Sequence, residues 1–252
     1  MKDGSSKKHC LLVGGTLGLG RALTKYFSHL GNQVSVIGKN PPVESDGGVA
    51  NVKHWTLDLT HQTALSKSLS EIIDTNGPLT NLIFLQRYRG KENDWEGEIA
   101  TSISATRFII EELAAKFDAS QSGSIVFVSA LAGDYVIDTQ PVSYHLGKAA
   151  MNQLMRYYAV KLGPKGIRVN AVSPFTFVKE ESREFYSKNS SLQELYKKMV
   201  PLGRLGTSED IVKVIGFLCS SDAAFITGQN LYVDGGLSLR WAEAVGRQIA
   251  GV

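Results

Sequence analysis

The strongest constraint on this chain is a glycine-rich turn, Gly14-Gly15-Thr16-Leu17-Gly18-Leu19-Gly20, between an apolar run and an amphipathic stretch. His9–Val13 predicts a strand and Leu19–Leu30 a helix, so the turn joins the two. Gly14 permits a tight turn, Gly18 lets backbone approach a ligand, and Gly20 lets the helix pack closely on a sheet. The helix start then offers free N–H groups and the positive end of its dipole, which suits a pyrophosphate. Glycines at these offsets also occur in ordinary strand–helix turns. Strand, helix and position together favour a dinucleotide, with Thr16, Leu17 and Leu19 completing the candidate cradle.

The rest of the chain repeats the alternation. Further strands are predicted at Gln33–Ile37, Val52–Leu57, Asn81–Leu85, Ser124–Ser129, Arg168–Ser173 and Asn230–Val233. Helical patterns cover Gln62–Asp74, Trp95–Phe117, Ser143–Leu162 and Ser208–Ser220. Such an order makes βαβ units with right-handed crossovers, hence an α/β fold with a parallel sheet. The run Ile125-Val126-Phe127-Val128 suits a strand buried on both faces. One domain over residues 1–252 is expected, with a polar loop at 40–48, a charged insertion over the site at 176–200 and an extension at 237–252.

Composition narrows the function classes. A hydrophobic fraction of 43% with 20% charged residues is that of an ordinary globular protein. The net charge of +3, with no basic stripe interleaved with aromatics, gives no support to nucleic-acid binding. No apolar stretch approaches the ~20 residues of a membrane helix, and the polar start Met1–Lys8 does not read as a secretory leader. Cys10 and Cys219 lie in apolar runs, read as buried thiols of a reducing compartment, and make the cytoplasm the default; no metal-ligand spacing occurs.

Two further features carry chemistry. Gly38-Lys39-Asn40 closes the second strand with a cation where NAD-binding turns carry an acid. Lys39 therefore favours NADP over NAD, unless it is only a solvated loop lysine. Tyr144 and Lys148 stand four apart in a predicted helix, on one face. A phenol of pKa about 10 is a poor acid–base at neutral pH, but a neighbouring ammonium should lower it. Tyr144 could then exchange a proton with a carbonyl or alcohol during hydride transfer. By itself such a pair also occurs in any amphipathic helix.

With these features in order, the chain closely resembles the classical short-chain dehydrogenase/reductase family over nearly its whole length. The matching segments are Gly14…Gly18-Leu19-Gly20, Leu57-Asp58-Leu59-Thr60, Trp95 before a long helix, Ser124-Ile125-Val126 and Tyr144…Lys148. Gly166-Ile167-Arg168-Val169-Asn170-Ala171-Val172-Ser173-Pro174, Pro201-Leu202-Gly203-Arg204 and Ile226-Thr227-Gly228-Gln229…Val233-Asp234-Gly235-Gly236 extend the match. The resemblance implies a Rossmann-type, doubly wound, seven-stranded parallel sheet with helices on both faces. It also implies a nicotinamide cofactor and a homodimer or homotetramer paired through the long helices. Asp58 and Leu59 would lie beside the adenine and Lys148 on the nicotinamide ribose, with Gln86, Tyr144 and Phe177 as further cofactor contacts.

The sequence also departs from the family. Ala130 stands where the family carries its catalytic serine; Ser129 and Ser143 are neighbours, although Ser129 should face the opposite side of its strand. Ser102 stands at the family's catalytic asparagine, seven residues after Trp95, and could keep part of its role. Leu85-Gln86-Arg87-Tyr88 replaces the usual Asn-Asn-Ala-Gly, and Lys179 stands at a position that often holds the cofactor amide. The adenine end therefore looks intact and the nicotinamide end rebuilt. One reading is a working reductase of a small carbonyl or alcohol, slowed by the missing serine, with Arg87, Arg89 and Lys179 available to an anionic group. The other is an impaired member that binds cofactor or regulates. His145 should point away from the face of Tyr144, and His9, His54 and His61 read as structural or exposed. Trp241, Val245 and Ile249 share a helical face that needs cover, by the cleft or by a second subunit.

Overall fold

The computed structural model describes residues 8–43, 49–90 and 94–251. The polar start at 1–7 and the part of the predicted loop at 44–48 lie outside the described residues. Strand β1 is His9–Val13, and the turn leads into helix α1, Gly18–His29. There follow β2 (Gln33–Gly38), β3 (Val52–Thr56), α2 (Gln62–Asn76) and β4 (Asn81–Phe84). Helices α3 (Asp94–Glu98) and α4 (Ala105–Leu113) come next, then β5 (Gly123–Val128), α5 (Val142–Leu162) and β6 (Ile167–Pro174). The last third holds β7 (Phe177–Val178), α6 (Arg183–Lys188), α7 (Ser190–Met199), β8 (Gly206–Thr207), α8 (Ser208–Leu218), β9 (Asn230–Val233) and α9 (Ala242–Ala250).

Seven of these strands form one parallel sheet in the order β3-β2-β1-β4-β5-β6-β9, as the alternation predicts. Side chains alternate along each strand, so both faces are apolar. Leu11 and Val13 of β1 join the core that α2, α4 and α5 cover. Cys10 and Leu12 join the opposite core under α1 and α8. The strand order reverses between β1 and β4, which opens a crevice at the carboxyl ends of the strands. Both the glycine turn after β1 and Gln86 after β4 open into it.

Three local features complete or correct the predicted pattern. The single predicted helix 95–117 is broken: α3 and α4 are joined by a π-helical turn, Ile99–Ser104, and α4 ends at Leu113. The insertion holds two helices, α6 and α7, and is pinned by a small second sheet of β7 and β8. The C-terminal helix α9 packs on α7, and Arg240 donates to the carbonyls of Lys198 and Met199 at 2.6 and 3.1 Å. The tail therefore lies on the insertion of its own chain, while Trp241 stays exposed. No helix among the described residues is long and apolar enough to cross a membrane.

Candidate active site

The glycine turn is shaped by backbone approach. Gly14 has φ +89° and donates to Ile37 O at 2.7 Å; a Cβ there would lie 2.7 Å from Gln86 N. A Cβ on Gly20 would lie 2.5 Å from the carbonyl of Gly14. Gly18, at φ +54°, adopts a conformation few side chains tolerate. Thr16 rests on Gly38, where a Cβ would approach within 2.5 Å. Leu17 is exposed, but Leu19 turns into the core, so its side chain packs and only its backbone can face a ligand. The cradle is one that side chains would fill, and buried Gln86 keeps its Oε1 without a partner beside it. Both features fit a dinucleotide.

The segment after β7 reaches this turn. Glu181 Oε1 accepts a hydrogen bond from Gly18 N at 2.7 Å, and Glu180 pairs with Arg21 at 3.0 Å and Lys25 at 3.7 Å. Burial opposes charge on Glu181, but the N–H groups of Glu181 and Gly18, with Lys179 and Arg21, hold its carboxyl below the ordinary range. A carboxylate thus meets the helix N-terminus at the place expected for the pyrophosphate.

At the expected ribose end, Lys39 Nζ pairs with Asp58 Oδ2 at 2.8 Å. Lys39 first, and then the N–H and hydroxyl of Thr60, hold Asp58 well below the usual carboxylate range. Leu59 is half-buried against the core. Gln86 Nε2 donates to Thr106 Oγ1 at 2.6 Å, which fixes the amide on α4. Phe177 is half-buried in the core beneath α1 and α8, with Lys179 Nζ 5.3 Å from its ring centre.

The opposite end is carried by α5. Lys148 is buried, with Nζ 5.7 Å from the Tyr144 ring centre, and donates to Val128 O of β5 at 3.0 Å. Burial pulls the Lys148 ammonium down to about 8, against the raising effect of Glu98 and with Arg87 adding to the fall. The Arg87 guanidinium lies 4.3 Å from the Tyr144 ring centre, in stacking range, and also donates to Gln140 Oε1 at 2.8 Å. The expected lowering of Tyr144 by Lys148 is not found. Burial pushes the phenol above its ordinary value; Arg87 opposes this and Glu98 adds to it. Desolvation of the phenolate outweighs the cation beside it.

The structure also sorts the candidate hydroxyls. Ala130 is buried at the end of β5, and neighbouring Ser129 keeps a buried Oγ without a partner. Ser143 donates to Asp94 Oδ2 and so is not the free donor that its place beside Tyr144 suggests. Ser102 is fully buried and donates to Glu98 Oε1 at 2.5 Å. His145 accepts from Ile137 N at 2.8 Å and meets Pro141 O at 2.9 Å, so it braces the loop before α5. His9 is buried between Gly77 O and Ser35. Sequence reasoning missed Glu98 and Glu181. Glu98 lies four residues before Ser102, a helical spacing that could have revealed it; nothing local marks Glu181. No cluster of metal-ligating side chains occurs among the described residues, and both cysteines are buried and free.

A doubly wound sheet with a glycine turn at its switch point is the architecture of dinucleotide-binding proteins, and α5 adds the Tyr144–Lys148 pair. Residues 15–238 match the family model described as enoyl-(acyl carrier protein) reductase. An uncharacterized oxidoreductase of Schizosaccharomyces pombe is 30% identical over 242 residues, covering 90% of this chain and 89% of its own. A 3-oxoacyl-[acyl-carrier-protein] reductase of Thermotoga maritima is 29% identical over 243 residues, covering 91% and 97%. The solved structure of ElxO with NADP bound superposes with a TM-score of 0.79 at 26% identity, covering 93% of this chain and 100% of its own. The chain belongs to the short-chain dehydrogenase/reductase family, whose chemistry is NAD(P)-dependent interconversion of carbonyls and alcohols.

Proposed function

We propose that the chain is an NADP-dependent reductase of a small carbonyl compound, with Tyr144 as proton donor and Lys148 as its supporting cation. The observation that carries this is the pairing of the two groups one helical turn apart on α5, with buried Lys148 Nζ 5.7 Å from the ring centre of half-buried Tyr144. The dinucleotide supplies the hydride. Tyr144 gives its proton to the carbonyl oxygen as charge develops there. Burial raises the Tyr144 phenol, so the side chain stays in its proton-donating form at neutral pH. Lys148, protonated below about 8, offsets the charge left on the phenolate.

Gly14, Gly18 and Gly20 would admit the pyrophosphate, Asp58 would sit beside the adenine, and Lys39 would meet a 2′-phosphate. That last contact supports NADP, since an NAD site would place a carboxylate where Lys39 stands. Arg87 at the Tyr144 ring supports a substrate with an anionic group; burial first, and then Arg89 and Arg87 against Glu181, lower the pKa of Lys179 nearby. Val142, Leu146, Tyr157 and Val160 leave an exposed apolar face on α5, which supports pairing with a second copy. Buried free Cys10 and Cys219 support a reducing, cytoplasmic setting.

The alternative, an impaired member that only binds cofactor, draws on Ala130 and on the engagement of Ser143 by Asp94. One experiment separates them. NADPH oxidation is followed with a panel of ketones and aldehydes, and Tyr144→Phe should lower kcat about 10²- to 10⁴-fold while leaving NADPH binding unchanged. If no carbonyl supports oxidation, the impaired reading stands; if Tyr144→Phe leaves a measured rate intact, Tyr144 is not the proton donor.

A further inference from the structure

Glu98 is a buried acid inside the site just described. It is 3% exposed, and among the described residues no cation lies within ion-pair distance of it. Isolated buried carboxylates are disfavoured unless other groups compensate them. Two features of this chain accommodate it. Ser102, one helical turn on through the π-helical segment, donates to Oε1 at 2.5 Å. Gly147, between Tyr144 and Lys148 on α5, leaves the space: a Cβ there would lie 2.8 Å from both Cγ and Oε1 of Glu98. The carboxylate therefore faces α5 at the step that separates the two reactive side chains.

We propose that Glu98 is a positioning residue for Lys148: held by Ser102 and admitted by Gly147, its carboxylate keeps the buried ammonium charged. Four groups set the charge balance at Lys148. Tyr144 comes from α5 itself, Glu98 from α3, Arg87 from the loop after β4, and β5 contributes the carbonyl of Val128. Arg87 repels the ammonium and Glu98 attracts it, so Glu98 answers the arginine that the loop has placed beside the tyrosine. In this way the Ser102–Glu98 pair would take over at the asparagine position of the family.

The proposal rests on Lys148 serving the reaction, but its test does not depend on turnover. The Lys148 side-chain carbon resonance is followed against pH in the free protein, assigned by its loss in Lys148→Met. Glu98→Gln removes the charge at constant shape and should move the midpoint down by about one pH unit, a tenfold loss of proton affinity. Glu98→Asp should restore most of it. The alkaline limb of kcat/KM should move with the resonance. An unmoved resonance in folded Glu98→Gln overturns the proposal, as does a fall in kcat with the alkaline limb in place. If Glu98→Gln fails to fold, Ser102→Ala decides: it frees the carboxylate from its donor and should lower the Lys148 midpoint, and an unmoved midpoint overturns the proposal.

Discussion

At the glycine turn the site is made of backbone, whereas around Tyr144 and Lys148 it is made of side chains brought from α3, α5 and the loop after β4. A Cβ on Gly14 or Gly20 would run into main chain at 2.7 or 2.5 Å, and main chain cannot be moved by exchanging neighbours. The other end depends on which side chains surround two residues. There Arg87, Glu98 and Ser102 come from separate elements to surround Tyr144 and Lys148. Exchanging side chains at that end would alter the site without touching the backbone turn, because the two ends are held by different kinds of contact.

Ala130→Ser tests that contrast most severely. A hydroxyl at the position of the family's catalytic serine should raise kcat by about 10²-fold, the value of one donor to a developing oxyanion, with dinucleotide affinity unchanged. Steady-state kinetics with the best carbonyl would show it, and an unchanged kcat would mean that another donor already fills the place. Lys39→Ala addresses the backbone end, at the side chain proposed to select NADP. Exposed as it is, the ammonium should be worth about tenfold in the NADPH-to-NADH affinity ratio, read by fluorescence titration. An unaltered ratio would leave Lys39 with no part beyond its pair with Asp58. Glu181→Gln should have the smallest effect. Weakening the acceptor on Gly18 N should tighten NADPH binding about two- to fivefold by calorimetry, since the carboxylate and a phosphate would share one donor. Weaker binding would show instead that Glu181 helps to hold the cofactor.

The same division explains what could be read in advance. The strands His9–Val13 and Asn230–Val233 are found with their predicted bounds, because short apolar runs between turn residues leave little choice. The glycine turn and the α5 pair were legible for a related reason: each is a local spacing within one strand–helix unit. Three things were not. The insertion touches Gly18 through Glu181, 163 residues away, and no local pattern encodes such a pairing. The pKa of Tyr144 depends on how much water the fold removes, which overrode the expected influence of Lys148. The role of Glu98 depends on space left by Gly147 on another helix. Long-range complementarity is the missing information in each case.

The π-helical turn at Ile99–Ser104 has a consequence for how substitutions in this stretch should be understood. In a regular α-helix seven residues make nearly two full turns, so Trp95 and Ser102 would project in almost the same direction. Yet Trp95 is 44% exposed and Ser102 is fully buried. The wider turn is the place where such phase is lost, and it lets one continuous stretch show an apolar side chain outward and a polar one inward. Removing a single residue between 99 and 104 would rewind it to ordinary pitch and rotate everything upstream by about 100° relative to α4. Glu98 would then swing away from Gly147 with no change in its own identity, so length is as informative as composition in this segment.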